Sequence, residues 1–199
     1  MSKKSNHYVP QFYLKNFSYN RKSVGMYHVE RKKYIPHASI KNVACKDYLY
    51  GKDGNLEDWF QVVESQASRV ISNLIQTEKF PPKSSDDYKL LLIFILLSEA
   101  RTLQSADKLE EMLSFLANKA AEYVPSLSKE EQEDRFAVKS EIPNAPGIDV
   151  AVKYFPVIMD LKAILIKTAN DRTFMTSDNP VMKYNQMFFQ ETTQIVVLD

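Results

Sequence analysis

The spacing of apolar positions divides this chain into a front of short elements, a helical middle and a strand-like end. Leu56, Trp59, Phe60, Val63, Ala67, Val70, Ile71 and Leu74 recur at steps of three and four residues, which predicts a helix with one core-facing side as far as about Gln76. Asn55 suits its N-cap, Asp58 can reach back in the manner of a capping box, and Glu57 favours the positive end of the dipole. Lys79-Phe80-Pro81-Pro82 ends that helix. A second starts near Ser84, with Asp86 and Asp87 in its first turn; its LLLIFILL interior is apolar on every side, as in a helix surrounded by other elements. From Leu103 the pattern is one-sided again, through Ala106, Leu109, Leu113, Leu116, Ala117 and Ala120, and stops before Pro125. The pattern leaves open whether this helix continues the preceding one.

The flanks are less periodic. In HYVPQFYLKNF, Pro10 can serve as a first helical residue, and Phe12, Tyr13, Leu14 and Phe17 fit one or two turns. VGMYHVE and KKYIPHASI read as short strands, the second at an edge because of Pro36. Gly51, Asp53 and Gly54 mark a turn. Residues 125–147 read as an exposed charged loop. GIDVAVKYFPVIMD reads as helical up to Pro156, LKAILIKT as a buried strand, Ala169 to Arg172 as a hairpin turn and TTQIVVLD as a last strand. The expected fold is α+β: a mostly helical core with a small antiparallel sheet made by the late strands, the N-terminal strands lying at its edge or forming a separate hairpin. One domain spans 1–199, with a basic, aromatic-rich part at 1–54, a helical core at 55–124, the loop at 125–147 and late strands at 148–199.

Composition narrows the class. A chain of 199 residues buries roughly 70% of its unfolded surface, enough for one real core. One cysteine, Cys45, excludes an internal disulfide framework and a cysteine-rich zinc site. No apolar region follows MSKKSNHY, and the longest apolar run, Leu90 to Leu97, falls far short of the roughly 20 residues of a membrane span. A cytoplasmic protein without a membrane partner is expected. Net charge is +1, yet residues 1–52 hold eleven Lys and Arg against Glu30 and Asp47, so the remainder is acidic. Such asymmetry points to an anionic partner, and the basic segment carries many tyrosines.

Five positions carry candidate chemistry. Glu64 falls inside the apolar sector of its helix, flanked by Phe60, Ala67 and Ile71, where an ionised carboxylate needs a partner. Arg101 interrupts the end of the most apolar helix in the same way, so a buried Glu64–Arg101 pair is the simpler reading. His7, near Pro10, can be a general base, a metal ligand or a hydrogen-bonded wedge. In TSDNPV, Asp178 and Asn179 sit in the grammar of a strand ending in an Asx-type turn, placed either to close a corner or to bind a metal, a phosphate or a water. With only four Gly and no glycine-rich loop after a strand, a methyltransferase-like reading of the Asn-Pro turn is rejected.

HYVPQFYLKNF at the start, FMTSDNPV late in the chain and an Arg-Thr pair at the end of a hydrophobic helix together resemble the domain-of-unknown-function family 4238. The matching positions are His7, Tyr8, Val9, Pro10, Tyr13, Leu14 and Phe17, then Thr176, Ser177, Asp178, Asn179, Pro180 and Val181; Glu64 and Arg101 stand where the family also tends to carry a glutamate and an arginine. Leu103 departs from a proline often found after Arg-Thr. The resemblance further implies relatives that run on beyond this C-terminus, so the chain reads as a shortened member. It implies no reaction.

If they converge, His7, Glu64, Arg101, Asp178 and Asn179 are the candidate catalytic set, with His7, Glu64 and Asp178 as ligands for a divalent metal. That inventory suits phosphodiester hydrolysis, in which a metal activates water and Arg101 steadies the phosphoryl oxygens. The basic segment would contact phosphates and stack bases of a nucleic acid. The expectation is therefore a nucleic-acid-directed hydrolase or toxin-like effector. The alternative is a non-enzymatic module that binds nucleic acid or protein, its motif residues forming a structural polar network.

Overall fold

A computed structural model describes residues 5–123, 128, 131, 142–168 and 173–182. Short elements come first: strand β1 (Ser5–His7), helix α1 (Gln11–Leu14) running into a tight turn at Lys15–Phe17, strands β2 (Ser23–His28) and β3 (Lys33–Ser39), and strand β4 (Cys45–Asp47). Helices α2 (Asn55–Thr77), α3 (Asp86–Ala100), α4 (Leu103–Glu122) and α5 (Ala145–Ile158) follow. The α+β class with a helical core and small antiparallel sheets is as expected.

The sheets arise from a different part of the chain than expected. β1 pairs antiparallel with β4, placing His7 opposite Cys45, and β2 pairs with β3, placing Tyr27 opposite Tyr34. The N-terminal strands thus include a separate hairpin. Its register shifts where Gly25 faces Pro36 and His37, a bulge that accommodates the proline without a ladder bond. By contrast, 162–168 and 173–177 join no ladder among the described residues, and Ile164 is 71% exposed. An apolar run alone does not make a strand; it needs a partner edge and a covered face. The expected turn at 169–172, the last strand TTQIVVLD and most of the 125–147 loop lie outside the described residues.

Helix boundaries moved by small amounts for identifiable reasons. Gly54, at φ +83°, takes the cap position of α2 in place of Asn55. Asp53 then supplies the acceptor, its carboxylate taking the Asn55 backbone N–H at 3.3 Å and the Asn55 side chain at 2.6 Å. Ser85 caps α3 by accepting from the Tyr88 N–H at 3.2 Å. α5 runs two residues past Pro156, since a proline in the last turn removes a single ladder bond and the Met159 N–H closes the end on the Pro156 carbonyl.

α3 is the centre of the core, as its all-round apolar surface predicts. It packs between α2 and α5, burying Leu91, Leu92, Phe94 and Leu97. The front of the chain joins the same core: Val9, Leu14, Ile40, Tyr50, Phe60, Leu97 and Ile148 form one buried cluster. Between α3 and α4 the helix breaks at Arg101-Thr102, where the Thr102 hydroxyl accepts from the Ser105 N–H at 3.1 Å and starts a new helix. No described helix is long and apolar enough to cross a membrane.

Candidate functional site

The motif residues meet where β1 crosses the C-terminal end of α3. β1 and the residues after it alternate across the join, so Asn6 and Tyr8 are buried while His7 is half-buried. The Asn6 amide donates to Glu57 at 3.2 Å and accepts from the Tyr50 N–H at 3.4 Å. Tyr50, fully buried against the Phe60 ring at 4.7 Å, donates its hydroxyl to the His7 carbonyl at 3.2 Å. Burial, more than any neighbouring charge, pushes the Tyr50 hydroxyl pKa far up, so it stays a neutral donor.

Arg101 occupies the middle of this join at 1% exposure. Its Nε donates to the Tyr8 carbonyl at 3.0 Å and its Nη1 to Glu64 Oε1 at 2.8 Å. The guanidinium also lies over the Phe60 ring, 4.8 Å from its centroid. The ion pair expected from the helical wheel is present, and it fixes the main chain of β1 to α2 and α3 at once. Two buried nitrogens beside it, His7 Nδ1 and Arg101 Nη2, have no hydrogen-bond partner of good geometry.

His7 Nε2 lies 2.9 Å from the Gln11 amide, one turn further along the motif. Burial lowers the ring's pKa below 6.5, and Arg101 adds to that; the Val43 backbone, Glu64 and Glu57 pull it the other way without prevailing. The ring is therefore neutral at neutral pH, between a carboxylate and a guanidinium that already hold each other.

The late motif docks on the same region from outside. Tyr13 and Thr176 share a hydroxyl–hydroxyl bond of 3.0 Å, and the Asn179 side chain meets Thr102 Oγ1 at 3.4 Å and bonds to Gln104. Within the turn, Ser177 accepts from the Asn179 N–H at 3.1 Å and donates to its carbonyl at 2.9 Å, the compact corner that TSDNP predicts. Asp178 is exposed at its tip, on the side of Tyr8. Burial first, then the Asp178 charge, raises the Tyr8 hydroxyl pKa.

So the structure pairs Glu64 with Arg101, sets the His7 ring near both without a bond to either, and places Asn179 on the Thr102 side, with Asp178 facing outward. Among the described residues no three His, Cys, Asp or Glu side chains are grouped closely enough to hold a metal ion, so His7, Glu64 and Asp178 do not fit a divalent-metal site. The physical reason is that Glu64 turns inward to Arg101 while Asp178 stays on an exposed corner. Sequence reasoning missed Asn6, Glu57, Tyr50 and Asn144. Asn144 is fully buried and donates to the Ala100 and Thr102 carbonyls at 3.3 and 2.8 Å, across the helix break. A polar residue ahead of Pro146-Gly147 was the available signal, and it pointed equally to a loop.

A family model described as a protein of unknown function (DUF4238) matches residues 5–197. No curated protein and no solved structure matches the chain.

Proposed function

The chain belongs to the DUF4238 family, which carries no assigned activity, and from its geometry we propose a nucleic-acid-binding module of the cytoplasm whose motif residues are the polar frame of the fold. One contrast supports this reading. The motif cation, Arg101, is enclosed and bonded to Tyr8 and Glu64. The cations of the basic segment, Arg21, Lys22, Arg31, Lys32 and Lys33, are exposed, and none forms an ion pair among the described residues. With Nε and Nη1 committed and the whole group enclosed, Arg101 is shut off from an incoming phosphate although its Nη2 has no partner. Exposed unpaired cations can neutralise phosphates and release their counterions.

A second reading, a phosphodiester hydrolase or toxin-like effector, is favoured by His7 alone. Its ring is neutral at pH 7 and so able to accept a proton. Anisotropy of labelled RNA and DNA with the purified protein, across a salt series and with cleavage followed on gels, separates the two. Salt-sensitive binding without cleavage is the expected result. Cleavage by the parent, lost in folded His7→Ala and Glu64→Ala variants that still bind, establishes the second reading instead. Absence of binding to either polymer discards both.

A further inference from the structure

The outward face of the β2–β3 hairpin carries a set of features that the polar frame does not use. Val24 and Met26 on β2, and Ile35 and Ala38 on β3, turn toward the core. The pleat therefore sends Gly25 and Tyr27, and opposite them Tyr34 and His37, to the other side. Tyr27 and Tyr34 are directly paired yet 58% and 57% exposed, and Tyr19 beside them is 76% exposed. A tyrosine pair with nothing over it leaves apolar ring faces in water, which a folded chain ordinarily avoids by covering them.

Of the two rings, that of Tyr34 lies close against the sheet. The Tyr34 ring lies across β2 at the bulge, with its hydroxyl oxygen 2.8 Å and its ring carbons 3.5 Å from where a Cβ on Gly25 would stand. Only the missing side chain of Gly25 lets it lie so close. The Tyr19 hydroxyl stands near that of Tyr34 and raises its pKa, and Tyr19 also meets the His37 ring edge-on at 6.4 Å. One Tyr34 face thus rests on backbone while the rest of the ring is open. The five exposed cations named above flank this face in the chain, Arg21 and Lys22 just before β2 and Arg31, Lys32 and Lys33 at the hairpin turn and the start of β3, against one hairpin carboxylate, Glu30.

We propose that this face is a stacking platform for single-stranded nucleic acid, with bases laid on Tyr27 and Tyr34 and the backbone tracked by Lys32, Lys33 and Arg21. The proposal rests on the nucleic-acid-binding reading and specifies its strand state and surface. Planar rings exposed on one face suit unpaired bases, whose faces are free; a duplex offers only its backbone and groove edges. The dense, unpaired positive charge selects a polyanion over a neutral peptide.

The test uses the full chain with a fluorescein-labelled oligothymidylate, a matching oligouridylate and a blunt duplex of the same length, each titrated by anisotropy. The single strands are expected to bind more tightly than the duplex. Tyr27→Ala and Tyr34→Ala should each weaken single-strand binding by about fivefold or more, as loss of a stacked base implies, while leaving duplex binding and the melting temperature unchanged. Gly25→Ala, which displaces the Tyr34 ring without removing it, should weaken single-strand binding as well. Lys32→Glu with Lys33→Glu should weaken both polymers and flatten the salt dependence.

Tyrosine variants that bind like the parent, or equal affinity for duplex and single strand, overturn the platform and leave the nucleic-acid reading standing. Polyglutamate that competes as well as oligothymidylate also overturns it, in favour of an acidic protein partner. Failure of the folded parent to bind any of the oligonucleotides overturns both.

Discussion

Tyr13 and Thr176 are joined hydroxyl to hydroxyl at 3.0 Å across 163 residues of sequence. The contact ties α1, which follows β1, to the segment that carries the TSDNP turn, so the first and last motifs form one surface. Tyr13→Phe keeps the ring and its packing on Phe17 and removes only this bond. Stability should fall by about 0.5–1.5 kcal/mol, with amide exchange rising first in residues 174–180. Unchanged exchange there would mean the late motif is held by other contacts.

The Arg101–Glu64 pair should behave as an internal brace. Arg101→Ala leaves Glu64 without its cation and the Tyr8 carbonyl without its donor, and denaturant unfolding should show a loss of about 3–5 kcal/mol. Glu64→Gln keeps an acceptor for the guanidinium and should lose less. Replacing both with Leu should recover much of the loss, because the penalty lies in stranding one charge. If the double variant were the least stable of the three, the brace would be wrong.

His7 gives stability a pH dependence of known sign. Its folded pKa lies below the 6.5 of the free ring because burial disfavours the cation. The unfolded chain therefore takes up a proton first as pH falls, and the stabilisation present above 6.5 is lost on descending through the folded pKa. Urea midpoints measured between pH about 7.5 and about 5.5 should fall in the parent and stay flatter in His7→Gln, which titrates nothing in that window. Parallel slopes would place the proton elsewhere.

Asn144 should matter more than a loop asparagine does. Its amide donates to the Ala100 carbonyl, which the break between α3 and α4 leaves without a ladder partner, and to the Thr102 carbonyl, which also accepts from the Ala106 N–H at 3.2 Å. Asn144→Ala strands the Ala100 carbonyl in a buried place and takes one of two donors from Thr102, and should lower stability by about 1–3 kcal/mol. Asn144→Asp, which keeps the shape but removes the donors, should be no better. A neutral alanine variant would show that water takes over the capping.

Legibility from sequence followed the length of each signal. α2 repeats its apolar step over more than five turns, so the wheel could place Glu64 inside and ask for the partner that Arg101 supplies. α3 was legible for the same reason, and the TSDNP corner because its side chains bond locally. β1 and β4 were not, because three residues are too few to display a period of two, and α1 and the β2–β3 hairpin lie between them in the chain. LKAILIKT joins no ladder among the described residues, and its expected partner TTQIVVLD lies outside them. Asn144 was hidden because its partners are backbone carbonyls, exposed by a helix break whose existence the pattern left open. The metal set failed because residue types alone say nothing of direction, and Glu64 faces inward while Asp178 faces out.

That Arg101 grips β1 through the Tyr8 carbonyl has a consequence for variation at that position. A carbonyl is offered by every amino acid, so the guanidinium specifies the path of the chain and is blind to the side chain at position 8. Substitutions there answer instead to the buried cluster that the Tyr8 ring joins and to the Asp178 corner, so a side chain that fills the same space leaves the brace beneath it untouched.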